Sequence, residues 1–146
     1  MSILAAIDLS ESSEIIAQKA GEIAWAFSSN LWIIHVAAPE PDFIGYDADP
    51  QTLRDGVARN FHKEHAQLQA IADKVRDINT KVTPLLIQGP TVDVILNEAS
   101  KLNANMIVLG SHGRGAMYQL LLGSVSNGVL KNAECPVLII PTHKAP

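Results

Sequence analysis

The chain has 146 residues, 47% hydrophobic and 18% charged, the makeup of one compact domain over residues 1–146 that can bury a core without a disulfide or metal staple. Its single cysteine, Cys135, excludes an internal disulfide framework and multi-cysteine zinc patterns, and points to a reducing compartment, the cytosol. Eleven Lys and Arg against fifteen Asp and Glu leave a net charge of −4, the wrong sign for a general nucleic-acid or anionic-membrane binder.

The N-terminus, MSILAAIDLS, has no basic leader and carries Asp8 in its apolar run, so residues 3–7 read as a first buried strand, not a signal peptide or membrane span. Ser10 is the expected N-cap of the next helix, whose Ile16, Ala20, Ile23 and Phe27 recur at helical spacing. Ser28-Ser29-Asn30 breaks that pattern. Residues 31–36, rich in aromatic and β-branched side chains, read as a strand covered on both faces. The segment 38–50, with Pro39, Pro41, Gly45, Pro50 and four acids, reads as a mobile surface loop.

From Leu53 through Val57, Phe61, Leu68, Ile71, Val75 and Ile78, the spacing predicts the longest helix. Residues 82–87 read as a third strand, and Pro84, which cannot donate to a ladder, places it at a sheet edge. Gly89-Pro90-Thr91 opens a helix, with Thr91 as its cap and Ile95, Ala99 and Leu102 inward. Residues 106–109 form the fourth strand. A glycine-rich segment from Gly110 to Gly123 follows, then a short helix over about 124–133 and the strand Val137 to Ile140, before a frayed tail.

Strands alternating with helices imply right-handed crossovers and an open five-stranded parallel α/β sheet with helices on both faces. With Pro84 at an edge, the strand order is 3-2-1-4-5, so the winding reverses between strands one and four. Ligands settle in the crevice at such a reversal, beyond the carboxyl ends of the strands. Asp8 follows strand one and Gly110 follows strand four, so two unusual features meet where topology alone would put a site.

The segment GSHGRGAMYQLLLGSVSNG sets Gly110, Gly113, Gly115 and Gly123 ahead of Ser124, which opens the next helix. Glycines let backbone amides approach a ligand, and a helix N-terminus favours an anion; several amides must act together, since one exposed dipole contact contributes only ~0.3–1 kcal/mol. Arg114 adds a forked charged donor. Charge is uneven along the chain: before Arg54 the only basic residue is Lys19, against eight acids, while ten basic residues meet seven acids from Arg54 onward. A phosphate site is therefore expected to rest on the later part of the chain and on backbone dipoles. A Walker lysine is missing, and Tyr118 stands where a dinucleotide fingerprint would place its third glycine. The bland alternative is a flexible loop whose glycines only turn the chain.

GSHGRG, nine residues between Gly113 and Gly123, GSV, and the closing ECPVLIIP together resemble the ATP-binding type of universal stress protein. The likeness runs from the Asp8-x-Ser10 start through the Gly89-Pro90 turn to the last strand, and is weakest across residues 38–50. It implies an adenine nucleotide alpha hydrolase-like fold holding ATP or another adenine nucleotide, with magnesium carried through the phosphates near Asp8. The phosphates would lie against Gly113, Gly123, Ser124 and Val125, with Arg114 and Gly115 in the same loop. The ribose would sit near Gly110 and Ser111, Asp8 would face the nucleoside, and backbone at Ala6, Val36 and Leu109 would frame the adenine. Leu9 stands where the family commonly has glycine, which would narrow or reshape the pocket beside Asp8.

Asp8 has a bland reading as well, capping the first helix or bonding loop amides; ligand contact is preferred. His112 reads as a solvent-facing loop histidine, with phosphate contact or acid–base work as its alternative. His62 and His65 share a helical face but lack a third metal ligand, His35 reads as a locally bonded strand residue and His143 as part of the tail. Cys135 reads as a small buried side chain, and Trp25 and Trp32 as packing residues. The apolar edge strand Val137 to Ile140 invites a two-fold homodimer, which the family resemblance also implies; the alternative is a tail folded over that edge. The leading function is a cytoplasmic, ATP-binding, nucleotide-dependent regulatory or stress-response module acting through a protein partner, with at most slow hydrolysis. Its rivals are a magnesium-dependent ATPase or phosphotransferase and a nucleotide-free dimerisation scaffold.

Overall fold

The computed structural model describes residues 1–37, 50–78, 81–112 and 122–142. Expectations that fall on 38–49, on Gly113, Arg114 and Gly115, and on His143 lie outside them. The elements run β1 (Ser2–Ile7), α1 (Ser13–Ala26), β2 (Asn30–Ala37), α2 (Pro50–Arg76), β3 (Val82–Gln88), α3 (Thr91–Lys101), β4 (Met106–Gly110), α4 (Ser124–Asn132) and β5 (Val137–Ile140). All strand pairs are parallel, and the order is β3-β2-β1-β4-β5. Pro84 is thus in an edge strand, as its missing N–H requires.

The two-residue period of the strands divides the core between the two faces of the sheet. Ile3, Ala5 and Ile7 of β1, Leu31 and Ile33 of β2 and Val108 of β4 pack with Ile16, Ala17, Ala20 and Ala24 of α1 and Leu68, Ala72 and Val75 of α2. Leu4, Ile34, Ile107 and Leu109 turn the other way, onto Ile95 and Ala99 of α3 and Val129 of α4. Full burial of an Ile or Leu contributes about 1.5–3 kcal/mol, so the central strands β1, β2 and β4 carry most of the hydrophobic stabilisation. The small residues on the inner side of α1 bring it close to its neighbour: a Cβ on Gly21 would lie 2.6 Å from Val75 Cγ1.

Both α1 and α3 end in the same hydrogen-bonded turn. After α1, Ser29 N donates to Ala24 O and Ser28 N to Trp25 O; after α3, Ala104 N donates to Ala99 O and Asn103 N to Ser100 O. Ser28 (φ 51°) and Asn103 (φ 48°) occupy the left-handed position that glycine usually fills in this motif.

Several local expectations need correction. The first helix begins at Ser13 rather than just after Ser10, and Ser12 at its N-cap makes no side-chain capping bond. Asp8 takes over the local turn instead, as described below. Thr91 is the first helical residue of α3, not its cap; Pro90 holds that position. Trp25 does not pack: it is 68% exposed, because the buried stripe of α1 runs through Ile16, Ala20 and Ala24 and leaves position 25 on the opposite side. Trp32 does pack, against the α3–α4 half of the core.

Candidate functional site

β1 and β2 end in register, Ile7 opposite His35, and β4 runs along the other side of β1 with Val108 opposite Ala5. The ends of these three strands, with the first turns of α3 and α4, enclose a cleft of about 450 Å³ at the reversal of the winding. Its apolar lining comes from Ala6, Ile7, Ile16, Ile34, Val36, Ile95, Leu109 and Val125. Asp8, His35, Thr91, His112, Ser124 and Ser126 supply polar side chains, and Gly110 and Gly123 supply backbone.

The polar end of the cleft is built on α4. Gly123, its N-cap, has no side chain to satisfy the first-turn amides, and that turn carries no acid. An uncapped helix mouth of this kind presents unsatisfied N–H groups and the positive end of the helix dipole, a combination that favours anions. The mouth is held against β4: Ser126 Oγ donates to Gly110 O at 2.6 Å, and Gly123 N donates to Ser111 O at 2.9 Å. A Cβ at Gly110 would lie 2.7 Å from Ile16 Cδ1 and 2.9 Å from Thr142 Cγ2, so any larger residue would have to push those side chains aside.

Asp8 stands across the cleft. Its Oδ1 accepts from Ser10 N at 2.9 Å and lies 3.3 Å from the Ser13 hydroxyl, so it organises the β1–α1 turn while still lining the cleft. The two readings of Asp8 are therefore not exclusive. Leu9 lies outside the cleft lining; its side chain packs with the α1–α2 half of the core, so it does not narrow the pocket as expected. Its backbone does adopt φ 61°, the left-handed conformation that glycine reaches without strain.

Eight of the residues singled out from sequence line the cleft: Ala6, Asp8, Val36, Leu109, Gly110, Gly123, Ser124 and Val125. Ser111 does not. It is buried, with Oγ 3.0 Å from His112 Nδ1 and 3.2 Å from Thr142 Oγ1, and it accepts from Thr142 N at 3.0 Å. It joins the end of β4 to the segment after β5. His112, expected to face solvent, is half-buried; its amide donates to Thr142 Oγ1 at 3.1 Å, and the residue lines the cleft. Sequence reasoning did not place His35, Ile34, Thr91, Ile95 or Ser126 there. Val36 was named through the family resemblance, and Ile34, two residues earlier on the same strand face, could have been named with it, but only the folded chain brings the first turn of α3 to the site.

Among the described residues, no three His, Cys, Asp or Glu side chains converge as a metal site, and His62 and His65 are exposed on α2. Cys135 is half-buried, and burial, reinforced by the nearby Glu134 carboxylate, pushes its thiol above the ordinary range; that is the opposite of an activated nucleophile.

Fold and cleft together define an open, doubly wound α/β protein with its crevice at the switch point, an adenine nucleotide alpha hydrolase-like fold. The chain belongs to the universal stress protein family, whose model matches residues 1–141. It is 33% identical over 138 residues to a universal stress protein of Thermus aquaticus, covering 94% of this chain and 96% of the relative. A second relative, from Methanocaldococcus jannaschii, is 30% identical over 139 residues, covering 94% of this chain and 79% of the relative. Among solved structures, a universal stress protein in complex with cAMP superposes with a TM-score of 0.74 at 25% identity, covering 98% of each chain. No helix among the described residues is long and apolar enough to cross a membrane.

Proposed function

We propose that this protein binds an adenine nucleotide, ATP foremost, and acts as a cytoplasmic nucleotide-dependent regulatory module in the stress response. The observation that carries this reading is that one cleft joins two unlike ends. The uncapped mouth of α4, with Gly123, Ser124 and Val125, suits phosphates, while Ala6, Val36 and Leu109 offer an apolar slot for a base. Gly113, Arg114 and Gly115 would extend the phosphate contacts, and magnesium would be held through phosphate oxygens beside Asp8. That a family structure is a complex with cAMP supports the adenine reading. The nucleotide would signal to a protein partner, with at most slow hydrolysis.

Mass spectrometry of small molecules released from gently purified, heat-denatured protein should find an adenine nucleotide. Calorimetry with magnesium and ATP should show binding that weakens at least about tenfold, roughly 1.4 kcal/mol, in Gly123→Val, whose added side chain projects at the helix mouth. No heat at millimolar nucleotide would end the reading. Rapid magnesium-dependent hydrolysis lost in Asp8→Ala would make the protein an ATPase instead.

A further inference from the structure

His35 is the one buried histidine of the described residues, its side chain 10% exposed, and it lines the cleft. Its Nδ1 lies 3.0 Å from Ile7 O, and its Nε2 lies 3.4 Å from Glu64 Oε2 on α2. A backbone carbonyl accepts only, so Nδ1 must carry a proton. A carboxylate also accepts only, so a neutral ring would turn the Nε2 lone pair toward a negative charge. The imidazolium alone suits both neighbours, donating to the end of β1 on one side and facing the Glu64 carboxylate of α2 as an ion pair on the other.

Among the described residues, no Lys or Arg is paired with His35 or Glu64. The strand neighbours of His35 are Ile7 and Leu86, neither of which titrates. On its face of the sheet, Glu64 comes from α2 and Asp8 from the turn before α1, both acids. The nearby α2 residues His62, Lys63 and His65 are exposed, and Glu14, Lys19 and Glu22 of α1 are spent in surface pairs with Lys74 and each other. The other imidazole of the cleft, His112, belongs to the end of β4 and bonds with Ser111.

We infer that His35 makes this cleft proton-linked: as an imidazolium it ties Ile7 to Glu64 and adds a positive charge to the cleft lining, so an anionic nucleotide binds more tightly as pH falls. This rests on the nucleotide reading above and specifies its regulation. Imidazole is the side chain whose charge changes between about pH 5 and 8. The bridge needs the charged ring: a neutral ring keeps its bond to Ile7 O and gives up the pair with Glu64. Linkage makes the effect reciprocal: bound nucleotide holds the proton on His35.

The test is calorimetry with magnesium and ATP at half-unit steps from pH 5.5 to 8.0, on wild type, His35→Gln and Glu64→Gln. The ligand's own protonation is common to all three and cancels in the comparison. Wild type should bind at least about fivefold more tightly at pH 5.5 than at 8.0 relative to His35→Gln, the lower end of ordinary coupling. Glu64→Gln, at a partly exposed position, should keep binding but alter its pH profile relative to wild type, because the charged ring has lost its counter-ion. A role in packing alone would change affinity equally at every pH. Equal pH dependence in wild type and His35→Gln, with binding intact, overturns the proton linkage and leaves nucleotide binding standing. Absence of binding to wild type at every pH overturns both.

Discussion

Leu9 sits at φ 61° with its side chain packed into the α1–α2 half of the core, so two terms of similar size oppose each other at one residue. The left-handed conformation costs about 1–2 kcal/mol for a residue with a Cβ, and a half-buried leucine returns about 1 kcal/mol. Leu9→Ala loses the packing and keeps the strain, whereas Leu9→Gly loses the packing and relieves it. Urea denaturation should therefore find Leu9→Gly more stable than Leu9→Ala by about 0.5–1 kcal/mol, the reverse of the order expected in a helix or strand. The equal or opposite order would mean that the turn relaxes around alanine. Asp8 shows the complementary case, a carboxylate recognisable from sequence whose bonds to Ser10 and Ser13 depend on how the turn closes.

Between α1 and α2 the Gly21 backbone meets the Val75 side chain, where a Cβ would be 2.6 Å from Cγ1. Helix propensity favours Gly21→Ala by up to about 1 kcal/mol, while overpacking a filled interface costs about 1–3 kcal/mol. Overpacking should win, giving a net loss of about 1–2 kcal/mol in chemical denaturation. Adding Val75→Ala should recover part of it, because the pair is coupled through one contact. If the two changes were simply additive, the close approach would not be the cause. The helical stripe was legible in part: Ile16 and Ala20 are buried and Ile23 partly so, as their spacing requires, but Phe27 caps the helix end and is exposed. Which way Trp25 would point was not: it sits on the far side of that stripe, and an aromatic there reads like a core residue until the neighbouring helix is placed.

At the scale of the whole molecule, β5 closes one side of the sheet. Ile107 N donates to Pro136 O and Ser111 N to Ile140 O, so even-numbered carbonyls of this segment face β4, and the backbone of Val137 and Ile139 faces outward. These outward groups on an apolar strand suit antiparallel pairing with a second copy, and we propose a homodimer through this edge. Gel filtration should return a dimer for wild type and a shift toward monomer for Ile139→Pro, which removes an outward N–H without touching the β4 ladder. A monomeric wild type would reject the arrangement.

Strand order, the crevice at the winding reversal and its glycines follow from hydrophobic period, one proline at residue 84 and the glycine spacing, because these are constraints each residue imposes on its own backbone or on neighbours a few positions away, whereas Ala6, Val36, Leu109 and Val125 were reached only through the family resemblance. What the tertiary structure alone decided is which distant groups share a volume: His35 between Ile7 and Glu64, Ser111 and His112 against Thr142, and the first turn of α3 beside that of α4. Such pairings join positions about thirty residues apart in the chain, and their electrostatics depends on burial and distance, which no local pattern encodes.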